Sequence, residues 1–308
     1  MSRKKERSIE SSKPLMVRVR KQKFLLLMLL PGMIWYLVFK YMPMLGLGLA
    51  FTDYGFRANV SFVGLDNFQR LFTSTIFWNA FRNTLLISFY NIIFYFPIPL
   101  IAALLINELK SFKVKKGIQF LIYIPYFFSW VVVGTIFVNL LSPSSGPVNA
   151  IIKAMGGEPI YFMASPDYFR GILVSSYIWR QTGYGAVIFI AALTTVDAQL
   201  YEAAMIDGCG HWGRLIHITL PSIRSTIVTM LLLNLSHVLM IFEQVLVMYN
   251  AAVYDVADVL QTYVYREGIL SGDMGYSIAV GMFTSIISLI LVLSTNKLSS
   301  KLLEEPIL

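Results

Sequence analysis

Charged residues and cysteine are scarce in this sequence of 308 residues. Asp, Glu, Lys and Arg make up 14% of it, against about 25% in soluble domains, and its mean hydropathy is +0.66. This composition predicts a polytopic membrane protein. The single cysteine, Cys209, excludes a disulfide within the chain and a cysteine-based structural zinc site.

The sequence features of an enzyme are also missing. There is no G-x-x-x-x-G-K-[ST] phosphate-binding loop, so the chain is not expected to hydrolyse ATP by that route. The only histidines are His211, His217 and His237, and the first two are six residues apart, which does not place them on one helix face. Because no nucleophile lies beside a general base, we predict a non-enzyme with no cofactor and no metal.

The net charge of +8 is concentrated at the start of the chain. Nine of the 25 Lys and Arg residues lie within residues 1–23, ahead of the first apolar run. Such a flank contacts membrane lipid and stays in the cytoplasm, so it argues against a nucleic-acid partner. A cleaved secretory signal is the alternative, but no small-x-small cleavage site follows and apolar character continues to about Phe51.

Six stretches are long and apolar enough to cross the membrane as helices, which takes about 20 residues each. Pro97 and Pro99 predict a kink in the second stretch. With the amino terminus inside, the cytoplasmic segments and Arg224 at a span edge hold 17 Lys and Arg residues and the outer segments hold four, which predicts that both termini are cytoplasmic. The six predicted spans are 24–51, 79–107, 118–141, 169–196, 222–247 and 276–296.

The predicted protein is therefore an all-α, six-span protein of the plasma membrane. A basic cytoplasmic tail, 1–23, precedes a transmembrane domain, 24–296, and a cytoplasmic tail, 297–308, follows it. Three short outer segments, 52–78, 142–168 and 248–275, contain turn residues and are too short for a folded extracellular domain.

A small, polar and glycine-broken segment, residues 197–221, joins the fourth and fifth predicted spans in the cytoplasm. Asp197 can cap a helix there and Gly208 can end it, because glycine takes a positive φ without steric cost. Two alanines beside a glutamate offer a surface that another protein can approach closely. The candidate docking residues are Glu202, Ala203, Ala204, Asp207, Gly208, Ile218, Leu220 and Pro221.

The spacing of these residues matches the cytoplasmic loop signature of binding-protein-dependent ABC importer permeases: Glu-Ala-Ala, three residues, Gly, nine residues, Ile, one residue, Leu-Pro. Other motifs resemble the maltose and glycerol-3-phosphate permease family, in its complex-oligosaccharide subgroup of Gram-positive bacteria. They are Pro31-Gly32, Tyr41-Met42-Pro43-Met44, Ala50-Phe51-Thr52-Asp53-Tyr54, Phe62-Val63-Gly64-Leu65-Asp66-Asn67-Phe68 and Asn83-Thr84-Leu85. Cys209 departs from the family, whose loops often carry alanine there; both residues are small.

The resemblance implies a type I ABC importer permease fold, in which the segment 197–221 docks in a cleft of a cytoplasmic ATP-binding subunit. It also implies a second, homologous permease subunit and an extracellular solute-binding lipoprotein that delivers a saccharide substrate. Pairing with an identical copy is the alternative for the permease partner. For the segment 197–221, the alternative is an interfacial amphipathic helix that only covers the helix bundle.

Polar side chains inside the spans are candidates for a substrate path, because burying them in a membrane is unfavourable. Hydroxyl, amide and guanidinium groups bind sugar hydroxyls, and aromatic rings stack on apolar sugar faces. Arg180 and Tyr184 share a helix face, and Glu243 is the candidate counter-ion of Arg180. Interhelical hydrogen bonding is the alternative role for each candidate. The candidates are Tyr90, Asn91, Tyr95, Arg180, Gln181, Tyr184, Asn234, His237 and Gln244.

We therefore predict the permease subunit of an ATP-driven importer that passes a saccharide, an oligosaccharide in particular, to the cytoplasm by alternating access. An importer of a phosphate ester or a peptide is the alternative within the same class. An ion-coupled secondary transporter would need carboxylates at the membrane midplane, whereas Glu243, the main acidic residue of the spans, is expected near the outer surface. A membrane scaffold would need no ATPase.

Overall fold

The computed structural model describes residues 23–56, 60–236 and 239–303, and of residues 298–303 only the backbone. These residues fold as helices and connecting segments, and the pairing of Thr52 with Phe62 is an isolated β-bridge. The predicted tail 1–23 is described only at Lys23, and His237 lies outside the described residues.

The helices vary widely in length. In chain order, the α-helices are α1 Lys23–Tyr36, α2 Met42–Met44, α3 Asp66–Thr73, α4 Thr75–Tyr90, α5 Pro97–Asn107, α6 Phe112–Tyr123, α7 Trp130–Leu140, α8 Pro147–Ala154, α9 Pro166–Leu193, α10 Ala198–Ile206, α11 His211–Arg214, α12 Leu220–Ser222, α13 Arg224–Ser236, α14 Glu243–Met248, α15 Tyr254–Ala257, α16 Leu260–Tyr265 and α17 Met274–Leu303. The π-helical turns are Leu37–Tyr41, Asn91–Tyr95, Leu215–Thr219 and Arg266–Leu270. The 3₁₀ turns are Leu45–Phe51, Ile124–Phe127, Phe162–Ala164 and Ala251–Val253.

Between three and six of these segments have the length and composition of a membrane span. Lys23–Phe51, Thr75–Asn107 and Met274–Lys297 qualify without a sharp bend. Three further pairs qualify only when each pair is counted as one span. They are Phe112–Phe127 with α7, bent by 100°, α9 with α10, bent by 70°, and His211–Ser222 with α13, bent by 62°.

The second predicted span contains a π-helical turn just ahead of its two prolines. Pro97 and Pro99 carry no backbone N–H group, so they cannot donate to carbonyl groups in the preceding turn. The turn Asn91–Tyr95 is wider than an α-helical turn and accommodates this change of hydrogen bonding. The segment Thr75–Asn107 nevertheless remains one candidate span.

The fifth predicted span, 222–247, is not one helix, and this prediction is wrong. Helix α13 ends at Ser236, and the next α-helix begins at Glu243 after the non-helical residues 239–242. The chain then runs into the protein core. Much of the predicted outer segment 248–275 is buried there, because its apolar side chains pack against α4 and α9. The fully buried ones are Val253, Ala257, Val259 and Leu260.

Helix α9 is the central helix of the bundle, since it packs against α4, α5, α6 and α15. Two glycines allow its neighbours to approach it closely. A Cβ at Gly183 would overlap the carbonyl group of Ile122, and one at Gly185 would lie 2.8 Å from the Cβ of Pro99. Phe189 and Ala186 then pack with Ala103 in one of the core clusters.

The first candidate span lies outside this core. Of the residues Lys23–Phe51, only Ala50 is buried, and Phe24, Met28 and Leu45 are among many large apolar side chains that remain exposed. The chain alone therefore leaves a long apolar helix without protein contacts over most of its surface.

The close contact at Gly183 predicts a stability difference between two glycine substitutions in α9. Gly183→Ala should destabilise the protein by about 1–3 kcal/mol, because the methyl group cannot fit without a backbone shift. Gly171→Ala is the matched control, because no atom lies within 4 Å of a Cβ there and alanine favours the helix. Thermal unfolding in detergent measures both variants, and equal melting temperatures would contradict this packing.

Candidate functional site

The segment 197–221 begins with a short helix whose two ends are built as predicted. The Asp197 carboxylate accepts a hydrogen bond from the Gln199 amide at 2.9 Å and caps the start of α10. At the other end, Gly208 has a φ of 75°. The amides of Gly208 and Cys209 donate to the carbonyl groups of Met205 at 3.1 Å and Ala204 at 2.8 Å. This is a Schellman ending, which satisfies the last carbonyl groups of the helix.

A side-chain hydrogen bond ties α10 to the second half of the segment. The hydroxyl groups of Tyr201 and Thr219 lie 2.9 Å apart, and the Thr219 hydroxyl also donates to the Arg214 carbonyl at 3.3 Å. At the end of α5, Glu108 lies 3.8 Å from Nδ1 of His211. The two hydrogen bonds hold the halves of the segment together, and the Glu108–His211 contact joins the segment to the end of α5.

The segment also exposes four large apolar side chains, which we call together the coupling surface: Leu200, Met205, Ile206 and Trp212. No residue of α10 is buried, and Ile206 and Trp212 are 87% and 73% exposed. A cluster of large apolar side chains on a short polar segment marks a protein or membrane contact. Sequence reasoning missed Trp212, although an aromatic residue in so polar a segment was a usable signal.

The predicted docking residues surround this surface. Five of them are exposed, and three are partly buried between the segment and the bundle. The exposed ones are Glu202, Ala203, Asp207, Gly208 and Pro221. The partly buried ones are Ala204, Ile218 and Leu220.

Two of the candidate path residues lie close together at the break between Phe112–Phe127 and α7. The guanidinium group of Arg180 lies over the rings of Trp130 and Tyr126, at 4.7 and 5.6 Å from their centroids. The ring of Tyr184 stacks on that of Tyr126 at 4.7 Å and an interplanar angle of 11°. The shared face of Arg180 and Tyr184 is thus confirmed, and sequence reasoning missed their two aromatic neighbours.

Tyr95 and Gln181 join the second and fourth candidate spans. The Tyr95 hydroxyl donates to the Gln181 carbonyl at 3.4 Å, and its buried ring lies 5.0 Å from the ring of Tyr177. Tyr90 and Arg170 line a cavity of about 730 Å³ beside α9. Asn91 is buried, and its Oδ1 atom has no hydrogen-bond partner among the described residues.

Three expectations for the fifth span and its surroundings need correction. Gln244 is buried and donates to the Leu173 carbonyl at 2.6 Å and the Ser176 hydroxyl at 2.8 Å, so its amide N–H groups are not available to a substrate. The fifth predicted span would place Asn234 and Gln244 on one helix, but α13 ends at Ser236, and Asn234 donates to the Met230 carbonyl of its own helix. Glu243 is not the counter-ion of Arg180, since no described carboxylate lies within 4.0 Å of that guanidinium.

Comparison with known proteins gives consistent results for sequence and fold. The family described as "Binding-protein-dependent transport system inner membrane component" matches residues 71–304. The polygalacturonan/rhamnogalacturonan transport system permease protein YteP of Bacillus subtilis (strain 168) is 43% identical, over 97% of this chain and 94% of its own length. The arabinooligosaccharides transport system permease protein AraP of the same organism is 30% identical, over 87% and 86%.

A solved structure shares the fold. It is a chain of a bacterial alginate ABC transporter in complex with an alginate pentasaccharide-bound periplasmic protein. The TM-score is 0.90 and the sequence identity 36%, over 96% of this chain and 100% of that chain. The all-helical architecture described above is therefore the type I ABC permease fold.

The Schellman ending predicts that Gly208→Val disrupts the coupling surface. Valine at a positive φ costs about 1–2 kcal/mol, and the helix end must rearrange to avoid it. We expect ATP-driven uptake to fall at least about tenfold while the amount of protein in the membrane stays unchanged, as a strain of that size implies. Glu202→Lys, a charge reversal at an exposed position, should act likewise.

Gly210→Val is the matched control for this experiment. Gly210 has a φ of −67°, and no atom lies within 4 Å of a Cβ built on it, so the same side chain is tolerated two residues further on. Equal uptake by the two valine variants would contradict the role of the helix ending. Loss of Gly208→Val from the membrane would point to a role in folding.

Proposed function

Since the chain belongs to the family of binding-protein-dependent transport system inner membrane components, we propose that it is the permease subunit of an ATP-driven importer of an oligosaccharide. The observation that carries this proposal is the coupling surface, which exposes Ile206 at the end of the capped helix α10 and Trp212 in the following helix α11. A transport permease is not a catalytic enzyme, and energy from ATP reaches it through a separate subunit that covers this surface.

The relatives support a saccharide as the substrate. The names of YteP and AraP specify polygalacturonan or rhamnogalacturonan and arabinooligosaccharides, and the structural neighbour belongs to an alginate transporter. These three substrates are all saccharides. A phosphate ester or a peptide finds no such support among them.

The exposed first span supports a second permease subunit as a partner. Large apolar side chains of Lys23–Phe51 lie outside the core, and part of this surface suits another membrane-embedded chain. A binding protein outside the cell would deliver the saccharide, as the periplasmic protein does in the alginate complex. Two ATP-binding subunits in the cytoplasm complete the proposed assembly.

Six spans, with both termini in the cytoplasm, fit this assembly. Each bent helix pair then contributes one span, with α10 and residues 211–221 of these pairs in the cytoplasmic segment, and the excess of Lys and Arg sets the orientation. The domain boundaries at residues 23 and 296 are part of the same proposal. For the substrate path we retain Tyr90, Asn91, Arg180, Gln181 and Tyr184. Tyr95 and Gln244 instead join helices of the bundle through their hydrogen bonds, and Asn234 bonds to its own helix.

Reconstitution in proteoliposomes tests the proposed function. The chain is purified with its partner permease, the ATP-binding subunits and the binding protein. Saccharide uptake should require ATP hydrolysis by the complex and should stop when the binding protein is omitted. Uptake that follows an ion gradient and needs no ATP would identify a secondary transporter. A complex that contains no ATP-binding subunit would favour a scaffold.

The single cysteine tests the orientation. Cys209 is partly exposed and lies in the proposed cytoplasmic segment, so a membrane-impermeant maleimide should label it in inverted vesicles and not in right-side-out vesicles. The protein is expressed for this purpose without ATP-binding subunits, which would cover the site. In a Cys209→Ala background, Ser144→Cys on the exposed outer segment should show the reverse pattern. Labelling of Cys209 from the outside would overturn the orientation.

A further inference from the structure

Arg180 has no counter-ion among the described residues. Its Nε–H group donates to the Phe128 carbonyl at 2.9 Å, and its four other N–H groups donate to no described residue. The side chain is only partly buried. Every described ion pair of the chain involves other residues. The chain therefore presents a positive charge with most of its hydrogen-bonding capacity unused.

The position of Arg180 excludes contact with lipid. It lies near the middle of α9, within the segment proposed to cross the membrane. A charged side chain at that depth costs about 2.5–3.5 kcal/mol or more when it faces hydrocarbon, so such groups face a polar cavity or another protein. The open side of the guanidinium consequently faces the transport path or the partner permease.

Two tyrosine rings stack face to face beside the guanidinium. Tyr184 stacks on Tyr126, and 40% of Tyr184 is exposed. The ring of Tyr123 continues the stack at 5.6 Å from Tyr126, with an interplanar angle of 13°. Exposed aromatic faces suit the apolar face of a sugar ring, and the phenol groups can bind its hydroxyls. Pairing of Arg180 with a carboxylate of a partner permease would not require these aromatic rings.

The guanidinium is also held in place before any ligand arrives. The 100° break between Phe112–Phe127 and α7 leaves the Phe128 carbonyl without a donor from a helix, and the Nε–H group of Arg180 donates to it instead. The buried ring of Trp130 also lies against the cation, at 4.7 Å. A fixed guanidinium with its fork open binds a carboxylate in a bidentate manner and loses little conformational entropy in doing so.

We infer that Arg180, Tyr126 and Tyr184 form a recognition site for a sugar ring that carries a carboxylate, so that the cargo is an oligosaccharide containing uronate. The sugar ring stacks on the exposed ring of Tyr184, which Tyr126 supports from behind, and its carboxylate pairs with Arg180 as the saccharide passes through the permease. This inference rests on the proposed importer function and specifies its substrate class and a specificity-determining residue.

The test uses the complete reconstituted complex and two sugars. One is an oligogalacturonide, and the other is the same oligosaccharide with one carboxylate reduced to the alcohol, each presented on saturated binding protein. The wild-type complex should take up the fully acidic sugar about tenfold faster, which is the contribution of one charge-assisted pair. Arg180→Gln should reduce this ratio to within about twofold, and Arg180→Lys should give an intermediate ratio because it keeps the charge and loses the fork.

Arg82→Gln is the control variant, because it removes an exposed arginine from α4 and should leave the ratio unchanged. Equal uptake of both sugars by an active wild-type complex would overturn the inference while the importer function stands. If Arg180→Gln instead prevents co-purification of the two permease subunits, Arg180 pairs with a carboxylate of the partner, and the inference is wrong. Absence of ATP-driven uptake for every sugar would overturn the proposed function and this inference with it.

Discussion

A backbone carbonyl group inside the hydrocarbon layer finds no water, so each break in a spanning helix needs a hydrogen-bond donor from the protein. The bent pair of Phe112–Phe127 and α7 shows how such a break is stabilised. The Phe128 carbonyl lies at the break, and the Nε–H group of Arg180 donates to it. The same bond fixes the guanidinium beside Trp130 and Tyr126. One interaction therefore stabilises the bend and fixes the charge at the site that we propose for the saccharide.

Two surfaces of the chain remain unsatisfied when it is considered alone. In the membrane, the first span leaves its apolar side chains outside the core, with only Ala50 buried. On the proposed cytoplasmic side, the coupling surface exposes Ile206 and Trp212. Both surfaces lie on helical segments, so their exposure does not reflect a lack of local structure. Under the proposed function, a second permease covers the first surface and an ATP-binding subunit covers the second.

Local features of the fold could be predicted from the sequence, and features that depend on tertiary burial could not. Asp197 and Gly208 act on neighbouring backbone groups, so their cap and turn follow from residue type and spacing. The bounds predicted for the fifth span were wrong because α14 and the residues after it are apolar and pack in the core. Hydropathy alone does not distinguish such residues from residues that face lipid. The prediction that Glu243 is the counter-ion of Arg180 was wrong for a related reason. Sequence gives the depth of Glu243 in a span, but it does not give the direction in which a side chain points.

The central claim is that the coupling surface is covered by an ATP-binding subunit. Amide hydrogen exchange of the chain, with and without those subunits, measures this directly. On assembly, exchange should slow across residues 198–213, whereas α8, on the proposed outer side, should be unchanged. Unchanged exchange in residues 198–213, in a complex that demonstrably contains the ATP-binding subunits, would contradict the account.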